Sequence, residues 1–195
     1  MKNLVKLLLL VVFSVNVVYA VDGSKIFDIK EQIFDDLDGG KIKTYKVKNA
    51  LIKLKLEYRD GGFYNSSTKG NSFIYIKPDK KTTNWMLDED IWVLGKINEA
   101  RTIKFYSLNN KLFTITIKGS YLYVNDFKYL IKERSQFGIK VVKLNNIIKI
   151  YIDNVKIYAT DTKFTKLVKI EQTLFAQNKE GGSDDIHNLK IWELN

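Results

Sequence analysis

The sequence predicts an all-β protein, a two-sheet antiparallel sandwich, and three observations predict it. From residue 41 onward, about a dozen short segments alternate apolar and polar residues at period two. Asn, Asp and Gly separate these segments roughly every 8 to 12 residues, the residues that tolerate the positive φ of tight hairpin turns. Helical periodicity is confined to one short stretch near the start.

Residues 1–20, MKNLVKLLLLVVFSVNVVYA, read as an export signal peptide. Lys2 and Lys6 give a basic start, Leu7 to Phe13 is unbroken apolar sequence, and Val18-Tyr19-Ala20 offers small residues for cleavage. A retained anchor is the weaker alternative, because the stretch carries Ser14 and Asn16 and falls short of the roughly 20 residues of a spanning helix. Residues 21–195 then form a single domain, exported to a bacterial periplasm or exterior.

Ile26, Ile29, Ile33, Phe34 and Leu37 fall near helical spacing, so Ser24 to Leu37 is expected to be a short helix ended by Gly39-Gly40, with an irregular first strand as the alternative. Lys41 to Lys48 and Ala50 to Tyr58 alternate cleanly and read as strands. Ser72 to Lys77, Thr102 to Leu108 and Lys111 to Lys118 follow, rich in Ile, Phe, Tyr and Thr. The segment from Pro78 to Glu99 is the least regular and is expected to be an extended loop with some strand. Tyr121 to Asn125 and Phe127 to Ile131 are short strands, and Phe137 to Thr160 reads as three strands joined by tight turns at Asn145-Asn146 and Asp153-Asn154. Leu167 to Phe175 and Ile186 to Leu194 complete the set.

Without the leader, the 32 basic residues become 30 against 22 acidic ones, a net charge of +8. The lysines do not form a tail. Lys41, Lys43, Lys46, Lys48, Lys53 and Lys55 alternate with apolar residues, which places them on the solvent face of a sheet. That pattern and the export signal argue against nucleic acid as a partner. The chain has no cysteine, which excludes a disulfide framework, thiol catalysis and a lipid-modified cysteine anchor.

Three stretches resemble the concanavalin A-like lectin/glucanase sandwich (LamG-like). Phe137 to Leu144 resembles its strand before a hairpin. Ile147 to Tyr158 resembles its apolar strand, Asp-Gly turn and short strand, with Asn154 in place of glycine. Asp184 to Leu194 resembles its closing strand, which returns to pair near the chain start. The resemblance implies a jelly roll of two curved sheets and says nothing firm about activity.

Glucanases of that fold carry acids on alternate residues of one strand, and a retaining mechanism needs two carboxyls about 5 Å apart. Asp88-Glu89-Asp90 supplies two acids at alternating positions, and Asp36 and Asp38 lack a third partner at Gly40. Both clusters read as solvated loops, so no catalytic residue is assigned. Asp35 to Gly40 fails as an EF-hand, because Lys41 falls where glycine is invariant and Val47 where the bidentate glutamate belongs. Asp184-Asp185 beside Gly181-Gly182 offers oxygen ligands to Ca²⁺, although a turn-forming role is the simpler reading; no other cofactor or metal is indicated. His187 is the only histidine and lacks a nucleophile elbow to serve.

The 11 Tyr, 11 Phe and 3 Trp remain as a resource for binding. Tyr64, Trp85, Trp92, Tyr121 and Tyr123 are the candidate ligand-binding rings, with core packing as the competing role. The leading expectation is a non-enzymatic exported module that docks onto envelope proteins as part of a larger assembly. A carbohydrate-binding module comes second and a glycan hydrolase a distant third.

Overall fold

The computed structural model describes residues 22–32, 34, 41–59, 62–64, 72–94, 100–131, 136–174 and 183–195. Residues 1–20, expected to be an export signal, and Asp36, Asp38 and the Gly181-Gly182 pair lie outside these residues. In chain order the first strands are β1 (Gly23–Asp28), β2 (Lys43–Val47), β3 (Ala50–Lys55), β4 (Glu57–Arg59), β5 (Gly62–Tyr64), β6 (Ser72–Pro78), β7 (Trp85–Leu94) and β8 (Arg101–Ser107). They are followed by β9 (Leu112–Lys118), β10 (Tyr121–Val124), β11 (Phe127–Leu130), β12 (Gln136–Leu144), β13 (Ile147–Ile152), β14 (Val155–Asp161), β15 (Leu167–Leu174) and β16 (Ser183–Leu194).

Two antiparallel eight-stranded sheets form the sandwich. Sheet A runs β14-β13-β12-β7-β16-β5-β4, with β1 also paired to β16. Sheet B runs β11-β10-β9-β8-β15-β6-β3-β2. One edge of β16 lies along β7; its other edge is shared, residues 185–187 pairing with β5 and residues 190–194 with β1. No described helix is long and apolar enough to cross a membrane.

Alternation explains the core. Ile103 and Phe105 of β8, Ile115 and Ile117 of β9, and Ile139 and Val141 of β12 all point between the sheets and are buried. Where the inward parity must flip, the strand bulges. On β16, Ile186 and Leu189 are both buried although three residues apart, and Asn188 between them takes a φ of 52° at the register shift. The turns use the residues expected of them: Asp153 and Asn154 have φ of 48° and 65°, a two-residue turn that needs no glycine. Asp153 Oδ1 also accepts from Gly138 N at 2.8 Å, tying that turn to β12.

Three expectations are corrected. Over its described residues, 24–32 and 34, the Ser24 to Leu37 stretch is not an α-helix: β1 is followed by one 3₁₀ turn, Ile29–Glu31, whose N-cap is Asp28 accepting from Lys30 N at 3.0 Å. Ile26, Phe27 and Ile29 are buried through a bulge in β1, and that spacing mimics a helical face. Ala50 to Tyr58 is two strands, because the chain passes from sheet B to sheet A at the buried Leu56. The irregular Pro78 to Glu99 segment contains β7, the strand on which β12 and β16 both pair.

β7 carries a polar tie across the core. Glu89 points inward with its side chain 0% exposed, against Arg101 of β8 at 1%. Arg101 Nη2 donates to Glu89 Oε1 at 3.2 Å and to Gln172 Oε1 of β15 at 2.7 Å, while Gln172 Nε2 donates to Glu89 Oε2 at 2.7 Å. The charges are mutually paired and hydrogen-bonded, which is what allows them between two apolar layers.

Candidate functional site

The structure sorts the five candidate rings into three places. Trp85 is a correction: it faces inward, 0% exposed, stacked on Phe105 at 4.7 Å and edge-on to Phe164 at 5.9 Å. The position puts it on the same inward parity as Leu87 and Ile91, so it fills the core.

Tyr121 and Tyr123 stand on the outer face of sheet B, ring centroids 6.2 Å apart. Lys128 holds its ammonium 3.7 Å from the Tyr121 centroid and 5.8 Å from that of Tyr123. Two further rings on this face, Tyr106 and Tyr75, were not singled out in the sequence. Lys169 sits over them at 3.8 Å and 5.3 Å, and Tyr106 Oη donates to Glu171 Oε2 at 3.3 Å. An ammonium thus already takes one face of each tyrosine pair through cation–π contact.

Tyr64 and Trp92 come together on the outer face of sheet A. Three cross-strand rows build the place. In the first, Trp92 of β7 and Tyr64 of β5 both stand opposite Asp185 of β16. In the second, Gly138, Asp90, His187 and Gly62 line up across four strands. In the third, Lys140, Asp88 and Lys190 do the same across three. Glycine at both ends keeps the middle row low between the other two, a shallow trough whose Gly62 end the His187 ring fills.

His187 lies in that trough. Its ring leans over Gly62, where an added Cβ would fall 2.6 Å from its Cε1 and 2.7 Å from its Nδ1. Trp92 packs on it at 4.5 Å with a 33° tilt, and Tyr64 meets it edge-on at 5.4 Å. Burial lowers the His187 pKa from its ordinary value, with Asp90 pulling it the other way, and Nε2 is buried without a hydrogen-bond partner among the described residues. Asn188 donates its Nδ2 to Asp90 Oδ2; its left-handed backbone at the bulge brings it beside that carboxylate. Burial raises the Asp88 pKa from its ordinary value, against the pull of Lys140 at 3.6 Å. Trp92 keeps 37% of its surface exposed.

The site therefore presents an open indole face, a carboxylate and a side-chain amide within one patch. Asp185, one half of the calcium expectation, is buried in the row between Trp92 and Tyr64. Among the described residues no group of three or more His, Asp or Glu side chains could hold a metal ion.

No known family and no curated protein matches the chain. Solved structures do. A sialidase aligns with a TM-score of 0.56 at 11% identity over 87% of this chain, which spans only 18% of that protein. The carbohydrate recognition domain of Emp46p, in its metal-free form, aligns with a TM-score of 0.57 at 11% identity, over 89% of this chain and 97% of that domain. The binding domain of botulinum neurotoxin DC, solved in complex with SialylT, gives 0.55 at 16% identity over 88% of this chain and 49% of that one. At such identities the likeness is one of fold. Two antiparallel sheets, the closing strand beside the first, and these neighbours together place the chain in the concanavalin A-like jelly-roll fold.

Proposed function

We propose that this protein is an exported carbohydrate-binding module whose sugar contact is the trough on sheet A. The observation that carries the reading is Trp92, an indole 37% exposed and braced from behind by His187, next to Asp90 and Asn188. A braced aromatic ring offers an apolar platform at little entropic cost, and adjacent carboxylate and amide groups suit the hydroxyls of a pyranose. The tyrosines of sheet B are weaker candidates because lysines already occupy their faces. Docking onto envelope proteins through the strand lysines ranks lower. Lys46 pairs with Asp79, Lys140 with Asp88, and Lys169 with Glu171 and two rings, so these charges are engaged within the chain. Binding in this reading uses no metal.

A glycan array probed with wild-type protein and Trp92→Ala tests it. Retention of a defined glycan set by the wild type, lost in Trp92→Ala and unaffected by EDTA, is the expected result. Equal retention by both proteins would remove the trough from the argument.

Asp88 favours a second reading, glycan hydrolysis. It lies two residues from Asp90 on the same face, the spacing at which two carboxyls can act on one bond, and burial raises its pKa against the pull of Lys140. Release of reducing ends from a retained glycan, abolished in Asp88→Asn, would establish it over simple binding.

A further inference from the structure

A cleft of about 420 Å³ opens at the opposite end of β7, beside Thr83, which precedes that strand, whereas Trp92 lies near its far end. Every charged residue on its lining is a lysine: Lys143 of β12, and Lys163 and Lys166 from the connection between β14 and β15. Thr83, Thr162 and Thr165 add hydroxyls, and no carboxylate lines it; Asp161, just before Thr162, stays off the lining.

Lys143 is the unusual member. It is 1% exposed, and its ammonium donates to two backbone carbonyls, Thr83 O at 2.8 Å and Asn145 O at 2.6 Å. An ammonium has three donors, and among the described residues no acid pairs with this one. Burying a charge with no countercharge is costly, and burial accordingly lowers the Lys143 pKa. The wall opposite is held by its own backbone. Thr162 N donates to Asn146 O at 2.7 Å, Leu108 N to Lys166 O at 2.8 Å, and Asn109 Nδ2 to Lys163 O at 2.7 Å. Those bonds fix the segment while the side chains of Lys163 and Lys166 remain exposed.

We infer that this cleft binds an oxyanion, either the carboxylate of an acidic sugar or a free inorganic anion of like charge. Three lysines and three threonines line a space that supplies no anion of its own, with Lys143 keeping one donor beyond its two carbonyls and Thr162 Oγ1 accepting from Phe164 N at 3.0 Å, and charge-assisted hydrogen bonds from such groups are the usual means of holding an anion. The site is separate from the Trp92 trough and stands without it.

Isothermal titration of the full chain with N-acetylneuraminate, glucuronate and sulfate, at constant ionic strength and with glucose as control, tests the inference. Saturable binding of at least one anion is expected, with no heat from glucose. Lys163→Ala/Lys166→Ala, which alters exposed side chains only, should weaken it by about tenfold or more. Lys143→Met should do the same where it folds. Sulfate binding as well as the sugar acids would show that the charge alone is recognised; binding of the sugar acids alone would show that the ring is read too. Trp92→Ala should leave this binding unchanged, which separates failure here from failure of the trough. No saturable binding of any of the three, or an unchanged affinity in the double variant, would overturn the inference.

Discussion

Removing Glu89 should cost this sandwich a large part of its stability. The carboxylate is wholly buried, ion-paired to Arg101 at 3.2 Å and bonded to Gln172 at 2.7 Å, and it is the sheet A member of the tie. Glu89→Leu leaves a guanidinium charge in the core with its countercharge gone. Breaking a buried pair from one side costs about 3–5 kcal/mol. Set against a total stability of about 5–15 kcal/mol, that is about a fifth or more of the margin for a typical domain. For a chain of this size, 1 kcal/mol moves Tm by about 2–4 °C, so the variant should melt roughly 6–20 °C lower. Arg101→Met alone should be similarly damaging, since it strands the carboxylate. The double variant Glu89→Leu/Arg101→Met removes both charges and should recover most of the loss, because apolar replacements of such pairs are often neutral or better. Urea denaturation of the four proteins closes the double-mutant cycle. A single-variant cost below about 1 kcal/mol, or a double variant equal to the sum of the singles, would refute the claim that this pair is coupled across the core.

The two tryptophans should separate cleanly. Trp85→Ala should lose about 3–5 kcal/mol in chemical denaturation, as a fully buried indole does, while Trp92→Ala should lose far less and forfeit glycan retention. Comparable stability losses would mark Trp92 as structural. His187 has a folded pKa below its unfolded value, so the fold prefers it neutral and binds fewer protons there. Its contribution is present above the unfolded pKa and is lost as pH falls below about 6.5; relative to His187→Gln, the wild type should therefore lose Tm between pH 7.5 and 5. A pH-independent difference between the two would contradict the burial argument. Gly62→Ala should cost about 1–3 kcal/mol, because its methyl would meet the His187 ring at under 3 Å, and His187→Ala should relieve much of that cost when the two are combined. An unchanged Tm for Gly62→Ala would mean that the ring moves freely.

Alternation made most strands legible, and turn chemistry placed their ends, as at Asp153-Asn154. What alternation does not record is which sheet a strand joins. Ile52, Leu54, Leu56 and Tyr58 keep one period while the chain changes sheets. β7 was hidden by Glu89, whose inward direction makes sense only with Arg101 and Gln172 already opposite it. An acid run in isolation reads as solvated. Tyr64 and Trp92 were legible as candidate rings, but their meeting at His187 was not. That meeting depends on the register of β16 against β5 and β7, and the bulge at Asn188 sets which residues beyond it face out. The Lys143 cleft left no signal, since one lysine among many on a strand gives no hint that it points inward.

The placement of β16 also orders events in time. This strand lies between β7 and the paired β5 and β4, and it is the partner of β1, so β1 and the β4–β5 pair have no place in sheet A until β16 arrives. Contacts between residues as distant as Gly23 and Leu194 form late by their nature, because the intervening chain must first be closed into a loop. A growing chain that still lacks β16 therefore lacks the trough, since His187 and Asn188 lie on that strand. Binding ability and completion of the fold are switched on by the same final strand.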